Sequence, residues 1–290
     1  MGLKIYFNGE FVEQENAKVS VFDHGLLYGD GVFEGIRSYN RRVFRLQDHM
    51  DRLYNGAKET RLEIPLTKKE FEKAILETLK INNLDDSYIR AVVTRGPGDL
   101  GLDPRKCNKA TVFIIAGKIK LYPAEFYEKG LPIIIAKTRR IHPTAINPRI
   151  KSLNYLNNIL AKIEAIDAGT DEALMLTNDG FVAECTGDNI YSVKNGVIYT
   201  PPCEIGALEG VTQKVVIELA EARKIKVKRV KMKPKDFFKT DECFLTGTAA
   251  EIIPVTKVDG KKIGKGVPGK ITLELREDFR ALTQKVGVGY

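Results

Sequence analysis

The chain has 290 residues, 43% hydrophobic and 29% charged, and its 46 Lys+Arg against 38 Asp+Glu leave a formal net charge of +8. That composition describes an ordinary globular protein with room for two domains. No apolar run approaches transmembrane length and no N-terminal secretory pattern is present, so neither membrane nor export is expected. The basic residues are spread along the chain, which points to phosphate-bearing or carboxylate ligands and away from nucleic acid.

In chain order, Leu3 to Phe7 reads as a first strand turning at Asn8-Gly9. Arg45 to Leu62 carries Leu46, Met50, Leu53, Tyr54 and Ala57 at helical spacing. Thr67-Lys68-Lys69-Glu70 is a capping box ahead of Phe71, Ala74, Ile75 and Leu79, and so opens a second helix. Tyr88–Thr94 and Thr111–Ala116 read as strands. Lys118 to Lys129, with Pro123 inside it, is the expected interdomain connection. It gives a smaller N-terminal α/β domain at 1–120, a loop at 121–130 and a larger C-terminal domain at 131–290.

The second part opens with a strand from Leu131 to Lys137. The helix after Lys151 places Leu153, Leu156, Leu160 and Ile163 on one face. Asn178-Asp179-Gly180 is a turn, and Asn195-Gly196 predicts a tight hairpin. Val211 to Lys224 reads as a helix. From Lys224 to Lys235, basic residues alternate with Ile225, Val227, Val230 and Met232, the pattern of a strand with one solvated face. Strands follow near Cys243–Thr246 and Ile252–Val258, and a last helix near Pro268–Lys285. The order is α+β with largely antiparallel sheets, without regular βαβ alternation.

Gly96-Pro97-Gly98-Asp99-Leu100-Gly101 has the GxGxxG spacing, but Asp103-Pro104 and a strand from Thr111 leave no room for the helix that a dinucleotide site requires. His24, His49 and His142 form no HxxxH pair, so a zinc site is not expected. Cys107, Cys185, Cys203 and Cys243 form no CxxC motif, and reduced thiols in a cytoplasm fit them best.

The remaining signals converge on a phosphorylated pyridine cofactor, which needs an amine, a carboxylate for its ring nitrogen, a phosphate cup and a ring clamp. Lys151 follows the irregular stretch Ile141–Pro148 and precedes a helix, so a rigid loop can aim its amine at an aldehyde. Glu184 is the carboxylate candidate, because a negative charge at a ring nitrogen keeps it protonated. Leu208-Glu209-Gly210-Val211-Thr212 lies where a helix begins, and exposed amides there favour an anion. Arg52 stands off the apolar stripe of its helix and can grip a phosphate through two parallel bonds. Thr246-Gly247-Thr248-Ala249-Ala250 is a run of small residues that lets a ligand approach the backbone.

The segments DHGLLYGDGVFEGIR (23–37), DHMDRL (48–53), SYIR (87–90), KSLNYLNN (151–158), the Glu184 segment, LEGVT (208–212) and GTAAEI (247–252) span nearly the whole chain. Together they resemble the branched-chain aminotransferases among the fold-type-IV pyridoxal 5'-phosphate (PLP) enzymes. The resemblance implies a two-domain α+β fold whose larger domain is a mostly antiparallel pseudo-barrel. It implies transamination between L-leucine, L-isoleucine or L-valine and 2-oxoglutarate, giving 2-oxo acids and L-glutamate. Lys151 would be the Schiff-base lysine and proton carrier, Glu184 the partner of the pyridine nitrogen, and Tyr155 the partner of the ring hydroxyl. Arg52, Gly210, Val211, Thr212 and Thr248 would hold the phosphate, with Leu208 on the ring. Tyr88, with the backbone at Thr248 and Ala249, would take the substrate α-carboxylate. Tyr28, Phe33 and Tyr155 would line an apolar pocket, and Arg90 would receive the distal carboxylate of glutamate. Leu100 and Leu102 match a loop that covers the partner subunit's pocket, so a homodimer or larger homo-oligomer is implied. The D-amino-acid aminotransferases, R-selective amine transaminases and aminodeoxychorismate lyases of the same fold are the alternatives.

Overall fold

The computed structural model describes residues 2–119 and 122–290. They divide into two compact units. One runs to Ile119 and takes in Ile150–Asn154 and Thr283–Tyr290; the other runs to Arg149 and resumes over Tyr155–Leu282.

In the first unit, β1 (Lys4–Phe7) and β2 (Glu10–Glu13) turn on Asn8 and Gly9, both at positive φ. Next come α1 (His24–Tyr28), β3 (Gly31–Tyr39), β4 (Arg42–Val43), α2 (Leu46–Glu59), α3 (Lys68–Ile81), β5 (Ser87–Thr94) and β6 (Thr111–Gly117). Among the described residues they make a seven-stranded antiparallel sheet, ordered Val288–Gly289, β4, β3, β5, β6, β1, β2. Alternation along the central strands sends Val32, Ile36, Ile89, Ala91 and Val93 into one core with Leu46, Met50, Leu53, Phe71, Ile75 and Leu79 of the two helices. Phe33, Gly35, Tyr88 and Arg90 therefore belong to the opposite face. The capping box forms as its spacing predicts: Thr67 Oγ1 accepts from Glu70 N at 3.3 Å, and Thr67 N donates to Glu70 Oε2 at 2.7 Å. The sequence reading contains no strand at β3, although β3 is the longest strand of this sheet. Gly31, Gly35 and the charged Glu34 and Arg37 mask its alternation.

In the second unit the described elements are α4 (Ala124–Lys129), β7 (Leu131–Ile135), α5 (Leu156–Asp167), β8 (Ala173–Leu176), β9 (Val182–Cys185), β10 (Asn189–Lys194) and β11 (Val197–Thr200). They continue with α6 (Val211–Ala222), β12 (Val227–Arg229), α7 (Pro234–Phe237), β13 (Glu242–Gly247), β14 (Glu251–Val258), β15 (Lys261–Lys262) and α8 (Lys270–Thr283). The sheet order is β12-β11-β10-β13-β14-β7-β8-β9, with β15 on β14. This sheet is mixed: β11–β12, β7–β14 and β7–β8 are parallel, and the remaining pairs are antiparallel. Leu131, Ile133, Leu174, Ile190, Leu245, Ile253 and Val255 form its core. The Asn195-Gly196 hairpin pairs Lys194 with Val197 as predicted.

Three readings need correction. The stripe assigned to the helix after Lys151 is not its buried face. Leu153 precedes the helix, and Leu156, Leu160 and Ile163 are 67%, 47% and 47% exposed. Asn158, Ala161 and Ala165 are buried instead, because small residues let α5 lie close to Ala136 and Met175. The strand expected along Lys224–Lys235 shrinks to β12, since Lys224 at positive φ closes α6 and Met232 turns back into the core. The connection at 118–129 contains the helix α4, and the expected boundary at 120/121 lies outside the described residues. Ile150–Asn154 also joins the first unit, through hydrogen bonds described below. Among the described residues no helix is long and apolar enough to cross a membrane.

Candidate active site

In the first unit, Lys151 lies on an extended segment hydrogen-bonded to the start of β3. Phe33 N donates to Lys151 O, and Leu153 N donates to Gly31 O, both at 3.0 Å. Ile150 packs against the core on one side of the lysine, and Asn154 Nδ2 donates to Gly29 O at 3.0 Å on the other. Lys151 thus stands on a backbone held from three directions, a short way ahead of α5. Its Nζ lies 4.5 Å from the centre of the Phe33 ring.

The same ring is approached from β5. Arg90 Cζ lies 4.5 Å from the Phe33 ring centre, and Arg90 Nη2 donates to Tyr88 Oη at 3.1 Å. Gly35 sits opposite Arg90 in the β3–β5 register. A β-carbon there would lie 2.2 Å from Tyr88 Oη, so only glycine admits the phenol. Tyr28 Oη donates to Leu100 O at 2.5 Å, tying α1 to the loop that carries Leu100 and Leu102. Those leucines are 70% and 78% exposed. The loop makes no helix of useful length, as its sequence predicts; it contains only the short turn Pro104–Lys106.

Arg52 projects from α2 toward the buried Glu34 of β3. Its Nε and Nη2 donate to Glu34 Oε1 and Oε2 at 2.7 and 2.8 Å, and His49 Nδ1 donates to Oε2 at 2.8 Å. Burial alone would raise the Glu34 pKa; the charge of Arg52 and the His49 contact overcome it and hold the carboxyl at about 2. Burial pushes His49 down, toward its neutral form, against the pull of Glu34. Arg52 is therefore a fixed cation rather than a mobile surface arginine.

In the second unit, Glu184 of β9 is buried, where the sequence alone suggests a surface strand residue. Arg140 Nε donates to its Oε1 and Leu208 N to its Oε2, each at 2.9 Å. Arg140 is itself held by the motif after Lys151: its Nη1 donates to Asn157 Oδ1 and Asn158 Oδ1 at 3.3 and 3.4 Å. Asn157 Nδ2 donates to Arg139 O at 2.8 Å and Asn158 Nδ2 to Thr186 O at 2.7 Å. The two asparagines thus fix the arginine that fixes the carboxylate.

Gly210 is the N-cap of α6, and among the described residues no side chain caps it. The first amides of this three-turn helix, at Val211 and Thr212, therefore receive no side-chain cap, an arrangement that can accept an anion. A β-carbon at Gly210 would lie 2.2 Å from Asn189 Oδ1, so the turn closes over that asparagine. Thr248 and Ala249 form the turn between β13 and β14 and are half-buried. Tyr155 is the N-cap of α5. Glu34, His49, Arg140, Asn157 and Asn158 are the residues that the sequence reading missed. VFEGIR, DHMDRL and KSLNYLNN contain all of these except Arg140, for which the sequence carries no local signal.

The Amino-transferase class IV family model matches residues 31–258. The chain is 54% identical over 286 residues to a putative branched-chain-amino-acid aminotransferase of Methanocaldococcus jannaschii, covering 99% of this chain and 98% of that one. The crystal structure of the Escherichia coli branched-chain amino acid aminotransferase superposes with a TM-score of 0.95 at 36% identity, covering 98% of this chain and 95% of that one. A second relative, the T.th. branched-chain amino acid aminotransferase with pyridoxamine 5'-phosphate, superposes at 0.94 and 40% identity, with the same coverage. That second enzyme has also been solved with N-(5'-phosphopyridoxyl)-L-glutamate and with 4-methylvaleric acid. The chain belongs to the class IV aminotransferase family, among the branched-chain-amino-acid aminotransferases.

Proposed function

We propose that this protein is a PLP-dependent branched-chain-amino-acid transaminase, exchanging the amine between L-leucine, L-isoleucine or L-valine and 2-oxoglutarate. The observation that carries this reading is the Phe33 ring with Lys151 Nζ and Arg90 Cζ each 4.5 Å from its centre. An amine, an apolar ring and a cation on one sheet face suit a substrate pair of which one member is aliphatic and the other acidic. The two ligands of the T.th. enzyme, one glutamyl and one aliphatic, support the same duality.

The residues fit PLP: a fixed amine, a buried carboxylate locked by Arg140, and an uncapped helix start closed by Gly210. When bound, the cofactor supplies a protonated ring that accepts electrons from the substrate α-carbon. Lys151 would hold the cofactor through its amine and would carry the proton at the substrate α-carbon. Glu184 holds a proton on the ring nitrogen, with Arg140 fixing its orientation. Tyr155 would donate to the ring hydroxyl, and Leu208 would pack on the ring. Arg52, Gly210, Val211, Thr212 and Thr248 hold the phosphate. Tyr88, with the backbone of Thr248 and Ala249, takes the α-carboxylate. Tyr28, Phe33 and Tyr155 accept the aliphatic side chain, and Arg90 the distal carboxylate of glutamate.

The working form is a homodimer or larger homo-oligomer in which Leu100 and Leu102 meet a partner subunit. Their exposure, with that of Val21, Leu26 and the α5 residues Leu156, Ile159 and Ile166, supports this, since apolar groups on this scale mark interfaces. The four free cysteines support a reducing cytoplasmic setting.

The test is the visible absorbance of the PLP-loaded protein before and after addition of L-leucine, L-glutamate or D-alanine. Loss of the yellow band with both L-amino acids is the expected result. Loss with D-alanine alone would move the protein to the D-amino-acid branch, and no yellow band at all would end the PLP reading.

A further inference from the structure

A second titratable cluster lies inside the second unit, and none of the roles above uses it. Glu172, just before β8, and Asp188, between β9 and β10, are both buried. Tyr122 Oη lies 3.1 Å from Glu172 Oε2 and 3.1 Å from Asp188 Oδ2. Three donors meet at the other oxygen of Glu172: Ala173 N at 2.7 Å, Thr186 N at 2.9 Å and Thr186 Oγ1 at 2.6 Å. Among the described residues, Tyr122 is the only group hydrogen-bonded to the Asp188 carboxyl.

A phenol has one proton and cannot serve two carboxylates. The arrangement is complete only with one further proton. The donors converging on Glu172 place the negative charge there, and Asp188 is left to carry the proton. Asp188 then donates to the Tyr122 oxygen, and Tyr122 donates to Glu172. Burial, and next the charge of Glu172, push Asp188 up to about 7; Tyr122 and Lys162 pull it down, and Glu184 adds to the rise. Cys185, buried beside the pair, has its pKa pushed well up by burial and by these carboxylates, and so stays a neutral thiol.

The position of this acid gives it consequence. A β-carbon at Gly247 would lie 1.9 Å from Asp188 Oδ1, so the carboxyl rests directly against that glycine, one residue before Thr248. The next residue, Asn189, rests against Gly210 and donates to Leu208 O at 2.9 Å. The Asp188-Asn189 pair therefore underlies both turns assigned above to the phosphate.

We propose that Asp188 is a positioning residue kept neutral by the Tyr122–Glu172 chain, so that the two phosphate turns meet the anionic cofactor with no negative charge directly behind them. The proposal rests on the assignment of those turns to the phosphate. Ionisation of Asp188 weakens cofactor binding by repulsion through the Gly247 backbone.

The experiment compares the full chain, stripped of cofactor, with its Asp188→Asn variant, whose amide can donate to Tyr122 as the acid does. A carboxyl whose pKa is higher folded than unfolded loses stability as pH rises from about 4 to about 7 and no further. The thermal midpoint of Asp188→Asn is therefore expected to gain on wild type over that window and hold its lead above it. In parallel, PLP is titrated by fluorescence at pH 6 and pH 8. The ratio of wild-type Kd to variant Kd is expected to rise about fivefold, and the ratio cancels the ligand's own titration. Glu172→Gln, which removes the neighbouring charge, is expected to move the wild-type affinity loss to lower pH, and it serves if Asp188→Asn does not fold. A midpoint difference that stays flat from pH 4 to 8 overturns the protonated Asp188. A rising midpoint difference with a flat Kd ratio overturns its link to the phosphate. If neither protein binds PLP, the cofactor reading fails and takes that link with it, while the midpoint profile still reports the proton.

Discussion

Glu34 is fully buried, and its charge survives because Arg52 and His49 supply three hydrogen bonds. Its folded pKa of about 2 lies below the ordinary value of 4.5. A depressed carboxyl contributes stability that is fully present above the unfolded pKa and is lost as pH falls through the folded one. Wild type should therefore lose about 3 kcal/mol from this group between pH 4.5 and pH 2. Glu34→Gln, measured by urea unfolding across that range, should show a shallower acid loss and a weaker hold on PLP at pH 7. An identical acid profile would mean that the pair does not report on folding. At Arg90 the expectation concerns selectivity. Arg90→Ala should raise KM for glutamate and 2-oxoglutarate about a hundredfold and for leucine by no more than a fewfold, since an unpaired carboxylate costs about 2–3 kcal/mol. Equal losses for both substrates would make Arg90 structural.

At the scale of elements, β3 carries two tasks on its two faces. Its even positions, Val32, Glu34 and Ile36, belong to the core and the Arg52 clasp; Phe33 and Gly35 belong to the face proposed for the substrate. Gly35→Ala should leave the fold standing, because the crowding falls on the end of a side chain, while displacing the Tyr88 phenol. KM for amino acids should rise about tenfold with little change in thermal midpoint. A midpoint drop with unchanged KM would place the cost in the sheet instead. The helix α5 likewise divides: its small buried face seats it in the second unit, and its large apolar residues remain outside. Leu160→Glu should lower the particle mass measured by light scattering if that stripe is the contact between copies, and an unchanged mass would assign the stripe no such role.

For the whole molecule, each unit holds its own set of groups assigned to the cofactor. Lys151 and Arg52 belong to the first, and Glu184, Gly210 and Thr212 to the second. A ligand that binds only the folded state stabilises by mass action, about 2.7 kcal/mol at a hundredfold excess over Kd. PLP should therefore raise the thermal midpoint by roughly 5 °C or more, and pyridoxal without its phosphate by much less. Equal shifts for both would remove the phosphate from the account.

Much of this chain is legible in its sequence. Periodicity and the Thr67 capping box mark α2 and α3, Asn195-Gly196 marks its hairpin, and the ordered motifs from DHGLLYGDGVFEGIR to GTAAEI identify the family. These are local signals, written in the residues that perform them. What only the tertiary structure decides is which groups meet. Glu184 looks like a surface residue until Arg140 and the Leu208 amide reach it from segments distant in sequence. The stripe on α5 reads as core because periodicity reports where apolar residues lie on a helix, not what covers them. Among the described residues the Asp188 carboxyl has no hydrogen-bond partner nearby in sequence; Tyr122, 66 residues away, links it to Glu172. Hydrogen bonds and protons are shared between neighbours in space, and the sequence orders neighbours only along the chain.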